Sequence, residues 1–289
     1  MFGNDKLKWI FLGILALVWG SSFILMKKAL LGLTSIEIGA FRTLFTGVFL
    51  LIIGGRKIKL IRKDQWKYIA ISALIGTFIP AFFFAVAIDH IDSSIAAVLN
   101  SLTPLGTLIF GFLFFGFAFR SKALLGVMVG LIGTLILILK GADLNPDQNY
   151  WFASLIIIST VGYAFNVNII KKYLYDLNAL SITAGNFVLL IIPAILVLVF
   201  NDYSYQESQL PAFGYLIILA VIGTGIAKII FNRLVQIANP VFASSVTYLI
   251  PIVALVWGAL DGEKIHAQQL IAAGIILLGV YLTNRFMKS

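Results

Sequence analysis

The chain has 289 residues, 61% hydrophobic and only 11% charged, with a formal net charge of +9 and a mean hydropathy of +1.03. Soluble domains carry roughly 25% charged residues, so this composition excludes a water-soluble surface and makes the chain an integral membrane protein. The absence of cysteine excludes disulfides and thiolate metal sites, and the placement of the charges, given below, explains +9 by topology rather than by nucleic-acid binding.

A hydrocarbon core about 30 Å thick needs about 20 apolar residues per helix. Runs of that kind cover 9–27, 36–54, 66–88, 94–117, 121–140, 150–170, 179–200, 212–236, 241–260 and 266–286. Lys6 and Lys8 precede the first, which lacks a convincing cleavage site and reads as a retained first helix. On it Trp19, Phe23 and Lys27 follow at steps of four. That face either leads two aromatics to a charge in a vestibule or packs, with the lysine reaching for water. In the second run Arg42 lies six residues from the start, and Glu37 is spaced to meet it only loosely. Arg42 reads as a structural charge.

The fourth run places Asn100 one turn before Pro104, and the ninth places Thr247 and Tyr248 just before Pro251. Each proline removes a donor and crowds the carbonyl four residues earlier, which predicts a kink. Such a kink serves as a gate with polar groups freed for solute, or as a packing feature; both readings stay open. In the fifth run Gly126, Gly130 and Gly133, and in the tenth Gly274 and Gly279, form small faces. Such faces support close packing within a protomer or between two, which leaves a homodimer open. The sixth run sets Tyr163 and Asn166 on one face, with Asn168 off it.

The eighth run carries Lys228, sixteen residues from its start, with Asn232 one turn on and Gly223 and Gly225 before it. A charge at that depth costs about 2.5–3.5 kcal/mol on insertion scales and so faces a cavity or a partner. The rival reading has Lys228 snorkelling beside Arg233.

With the N-terminus in the cytoplasm, the cytoplasmic segments hold fifteen of the 21 Lys and Arg residues against three acids, and the opposite side holds four against nine. The two left over are Arg42 and Lys228. The bias predicts both termini inside. The chain also repeats itself. At a shift of 147, Tyr68 falls on Tyr215, Ile75-Gly76-Thr77 on Ile222-Gly223-Thr224, Phe84 on Phe231, Ala96 on Ala243 and Pro104 on Pro251. Lys228 stands opposite Ala81. At a shift of 144, Lys27-Lys28 falls on Lys171-Lys172. Two five-helix units follow, over 1–140 and 150–289, joined by a linker at 141–149. Five is odd, so the second unit is inverted relative to the first, an arrangement that secondary transporters use with a midplane site at the repeat interface.

The segments LVWGSSFILMKKAL, FRTLF, SSIAAVLNSLTPL, FASSVTYLIPIVALVWGALDGE and GIILLGV resemble the EamA branch of the drug/metabolite transporter superfamily over nearly the whole chain. The resemblance implies two EamA-like repeats, ten helices and a carrier working by alternating access, more often in export. It says little of the solute, because the family handles amino acids, nucleotide sugars, drugs and other metabolites. In the family a Gly-Glu often follows both the fourth and ninth helices. Here Gly262-Glu263 is kept, while the first half reads Gly116-Phe117, which makes Glu263 a structural charge at a helix end.

No P-loop, HExxH, Cys/His cluster or nucleophile motif is present. His90 and His266 read as surface residues. No enzyme, metal or cofactor is expected. The sequence thus predicts an all-α integral membrane protein of the inner membrane, ten helices in two inverted repeats. It moves a small organic metabolite, amino-acid-like or otherwise amphipathic. Trp19, Phe23, Asn100, Tyr163, Asn166, Lys228, Asn232, Thr247 and Tyr248 are the expected solute contacts, Pro104 and Pro251 the hinges, and Arg42 and Glu263 structural charges. The rival classes are a lipid-modifying membrane enzyme, which lacks converging acids and histidines here, and a channel or scaffold.

Overall fold

The structure, a computed structural model, describes residues 2–118, 123–144 and 147–288. Arg120 and Lys122 of the charge count and residues 145 and 146 of the expected linker lie outside the described residues. Among the described residues the chain is all-helical, with no strand. In chain order the rods are α1 (Phe2–Ala29), α2 (Ser35–Gly54), α3 (Trp66–Ile88), α4 (Ser93–Phe115), α5 (Ala123–Leu144), α6 (Tyr150–Tyr173), α7 (Ala179–Phe200), α8 (Glu207–Ile237), α9 (Pro240–Leu260) and α10 (Ala267–Lys288). By length and composition, among the described residues, 8 helical segments suffice to cross a membrane, all of these but α5 and α10. For α5 and α10 the expectation of a span rests on their apolar runs. The outer faces of α2, α4, α7 and α9 expose Ile52, Leu113, Phe114, Ile192 and Leu260 among others, which water would penalise and hydrocarbon does not.

Local chemistry sets several ends. Thr34 and Glu37 form a capping box at α2, Oε2 of Glu37 accepting from the Thr34 amide at 2.9 Å. Glu37 therefore serves its own helix start and not Arg42. Gly116 and Gly262, which follow α4 and α9, both sit in the left-handed region, at φ 73° and 83°. Only glycine takes that conformation without steric cost, so both helices stop there. α5 runs on through Leu144, so the expected linker at 141–149 begins inside a helix; Ala142 and Leu144 favour helix and outweigh Gly141.

The packing crosses the two halves. α1 lies against α8 and α9, α6 lies against α3 and α4, α2 packs on α7, and α5 packs on α10. The α5–α10 contact is backbone-close: a Cβ on Gly279 would strike main-chain atoms of Gly126 and Gly130. The small-residue step of α5 is thus used inside the chain.

The duplicated I-G-T sequence coincides with a change in the backbone. α3 widens to a π-helical turn at Leu74–Phe78, and α8 does so at Leu219–Ile226. Such turns leave carbonyls without their ordinary helical donors and recur at functional sites. α4 breaks near Ser101–Leu102, and α9 tightens to a 3₁₀ turn at Ser245–Tyr248. Pro104 and Pro251 each lie in the first turn of the helical piece that follows. There a proline is tolerated, because the missing N–H would be unpaired in any case. The expected clash with a mid-helix carbonyl is avoided, and the Asn100 carbonyl accepts from Thr103 Oγ1 at 2.8 Å.

Candidate functional site

The two π-helical turns face one cavity of about 110 Å³ between the halves. Trp19, Ser22, Phe23 and Met26 of α1, Arg42 of α2, and Gly76, Phe84 and Ile88 of α3 line it. Asn100 and Thr103 of α4 and Tyr163, Asn166 and Val167 of α6 continue the wall, and Gly223, Thr224, Lys228, Phe231, Asn232, Ser244, Thr247 and Ile250 of α8 and α9 close it. Eight of the nine expected contact residues are therefore brought together. Phe84 and Phe231, Gly76 and Gly223, and Asn100 and Thr247 are pairs related by the sequence repeat, so both halves supply matching pieces of wall.

The polar groups form an ordered set. Lys228 Nζ donates to the Gly76 carbonyl at 2.5 Å and to Thr77 Oγ1 at 2.6 Å. The repeat-related groups are engaged in the same manner by other donors. Trp19 Nε1 donates to the Gly223 carbonyl at 3.0 Å, and Arg42 Nε donates to Thr224 Oγ1 at 2.8 Å. Thr46 Oγ1 reaches the Ala220 carbonyl at 2.8 Å, so the widened turn of α8 is supported by side chains from α1 and α2. Asn166 sits against Gly76, where a Cβ would collide with its amide, and its Oδ1 accepts from Ser72 Oγ at 2.6 Å. Asn232 Nδ2 donates to Thr183 Oγ1 at 3.0 Å. Trp19 and Phe231 pack with ring centroids 5.0 Å apart, and Phe84 stacks on Tyr163 at 5.9 Å.

Two residues fall elsewhere than expected. Tyr248 turns away from this cavity into a second cleft of about 670 Å³, shared with Trp9, Asn168, Lys171, Phe242 and Arg285. The 3₁₀ turn at Ser245–Tyr248 explains this: it re-phases α9 so that Thr247 faces the cavity and its neighbour does not. Arg42 lines the cavity instead of standing apart from it. Its place in the first turns of α2 suggested the rim, but the π turn of α8 presents Thr224 to draw its guanidinium inward. Thr77, Thr224, Phe84 and Phe231 were missed as site residues, although the repeat itself marked them.

Glu263 lies outside the cavity, beyond the end of α9. Its side chain is 1% exposed. It accepts from the Ser93 and Ser94 amides at 3.2 and 3.3 Å and from their hydroxyls at 2.6 and 2.7 Å. It thus caps α4 from a distant part of the chain. Lys27 Nζ joins it at 3.0 Å and Asp261 at 2.9 Å, and Lys28 also pairs with Asp261. So Lys27 ends in an ion-pair cluster, not in a solute vestibule. The repeat-related lysines make a different seal. Lys171 donates to the carbonyls of Val235, Gln236 and Ala238, and Lys172 to that of Phe115 at 2.9 Å. Where the first half has Phe117 in place of a glutamate, backbone oxygens stand in for the acid.

The EamA-like transporter family model matches residues 7–139 and again 150–285. The chain belongs to the EamA-like transporter family. Among curated EamA-like relatives, the inner membrane transporter YedA of Escherichia coli (strain K12) is 28% identical over 281 residues, covering 93% of this chain and 88% of its own. A transporter of Archaeoglobus fulgidus is 26% identical over 285 residues, covering 96% and 99%. The S-adenosylmethionine/S-adenosylhomocysteine transporter of Chlamydia muridarum is 24% identical over 280 residues, covering 92% and 88%. One solved crystal structure shares the fold, with a TM-score of 0.69 at 17% identity over 97% of this chain and 98% of the other. This EamA-like chain is a multi-pass membrane protein and a membrane transporter.

Proposed function

We propose that the chain is a secondary transporter that moves a small organic metabolite, amino-acid-like or otherwise amphipathic, across the inner membrane by alternating access. The observation that carries this reading is the central cavity, walled by repeat-related residues of both halves and holding Arg42 and Lys228. Ten spans in two inverted five-helix repeats, 1–140 and 150–289, follow from the duplication and are supported by packing that exchanges partners between halves: α1 with α8 and α9, α6 with α3 and α4. A site on such an axis opens to one face by the same movement that closes it to the other. The breaks before Pro104 and Pro251 are the proposed hinges, because each interrupts a helix beside the cavity. Positive residues bias both termini to the cytoplasm, and export is the direction proposed from the family.

The S-adenosylmethionine/S-adenosylhomocysteine relative handles solutes that carry a ring system, which an aromatic wall accommodates; those solutes also carry an ammonium, so this likeness supports the ring and not the charge. Saturable counterflow in proteoliposomes tests the carrier reading against the channel and enzyme readings. Preloading the transported solute accelerates uptake of labelled solute several-fold. Ion currents without such acceleration, or chemical conversion of the solute, would defeat it.

A further inference from the structure

We infer that the central cavity selects a solute of net negative charge, whose anionic oxygens dock between Arg42 and Lys228. This rests on the carrier reading and narrows its amphipathic solutes to net anions, setting plain zwitterionic amino acids aside. The two cations come from opposite halves of the chain and line the same cavity. They meet again in a narrow side chamber with Thr43, Thr77 and Thr224. Among the described residues no aspartate or glutamate lines either space, and none pairs with either cation.

Their present partners are neutral. Lys228 is held by a carbonyl and a hydroxyl. Arg42 has five N–H donors, of which only Nε has a partner among the described residues, the Thr224 hydroxyl. Buried charge without a counter-ion is unfavourable. A solute bearing a carboxylate or a phosphate supplies the missing charge, and the guanidinium fork suits either group. A zwitterion brings an ammonium as well. That ammonium finds no acid in the wall and adds to two positive charges already there. The remaining wall, with Trp19, Phe84, Tyr163 and Phe231, takes an apolar or aromatic body. Those same rings could hold an ammonium by cation–π attraction, so the test must include it.

The probes are four molecules with one phenyl ring and different heads: 3-phenylpropanoate, phenyl phosphate, phenylalanine and phenethylamine. Binding to the purified full-length protein is measured by calorimetry. The two anions bind at least about tenfold more tightly than phenylalanine, and phenethylamine binds least. Arg42→Gln and Lys228→Gln each weaken the anions at least about tenfold at an unchanged melting temperature, and Lys228→Arg restores them. The tighter of the two anions tells carboxylate from phosphate. Equal or tighter binding of phenylalanine or phenethylamine would overturn the inference, as would anion binding that survives both glutamine variants, or no anion binding to folded protein. Counterflow of a cation or zwitterion in its place would overturn the charge assignment and leave the carrier standing. Anion-selective binding with no counterflow of any solute would do the reverse.

Discussion

Lys228→Ala lowers solute flux at least about thirtyfold while the protein still inserts and folds. Truncating one member of a desolvated charge pair with a ligand costs about 2–5 kcal/mol, and the lower bound is a factor of roughly thirty. The stability side is near balance. The variant loses two hydrogen bonds, to the Gly76 carbonyl and the Thr77 hydroxyl, each worth about 1 kcal/mol. It also removes a charge that is unfavourable at this depth by about 2.5–3.5 kcal/mol. Flux in proteoliposomes, read beside a melting curve in detergent, checks both halves of the statement. Wild-type flux would remove Lys228 from the transport site, and a collapsed melting curve would make it a structural residue.

Glu263→Ala has the largest expected effect on stability. It leaves the Ser93 and Ser94 amides at the start of α4 without their acceptor and leaves Lys27 with Asp261 alone. Breaking a buried, hydrogen-bonded charge cluster costs about 3–5 kcal/mol, a fall in melting temperature on the order of 10 °C for a chain of this size. The cluster also sets a pH dependence. Burial pushes the Glu263 carboxyl up, but Ser93, Ser94 and Lys27 together outweigh burial and hold it below its ordinary value. Lys28 and Lys27 hold Asp261 below the ordinary carboxylate range. Carboxyls depressed in the folded state contribute stability that is complete above about pH 5 and is lost as pH falls through their depressed values. Asp92, pushed up by burial, titrates with the opposite sign and flattens part of that slope. Melting temperature against pH therefore falls steeply on the acid side for the wild type and less steeply for Glu263→Gln. Parallel curves for the two proteins would contradict the assignment.

Much of this is legible in the sequence. Apolar runs mark spans because lipid leaves a backbone no solvent but itself. The depth of Lys228 marked it for a cavity, because the cost of a charge in hydrocarbon rises away from the interface. The misplaced residues share one cause. From the sequence, Tyr248 is assigned to the solute by its place just before Pro251, and Arg42 is set aside by its depth in α2, in both cases without the turns that the backbone makes there and opposite. The 3₁₀ turn in α9 has no sequence signature in one chain, and the π turns of α3 and α8 have only an indirect one. The exact duplication of Ile75-Gly76-Thr77 as Ile222-Gly223-Thr224 was the trace of those turns. The capping of α4 by Glu263 joins residues 170 positions apart, beyond the reach of local spacing rules. The missing first-half glutamate nevertheless pointed to a structural role.

Alternating access requires that one cavity be reached from both faces of the membrane. The chain contains no cysteine, so a single introduced thiol reports without background. Ser22 lines the cavity and its hydroxyl returns to the Val18 carbonyl of its own helix, so Ser22→Cys is a mild replacement. A charged, membrane-impermeant methanethiosulfonate is applied to right-side-out and to inside-out vesicles. Alternating access predicts modification from both faces, slowed from both by transported solute. Modification from one face alone under every condition would contradict it.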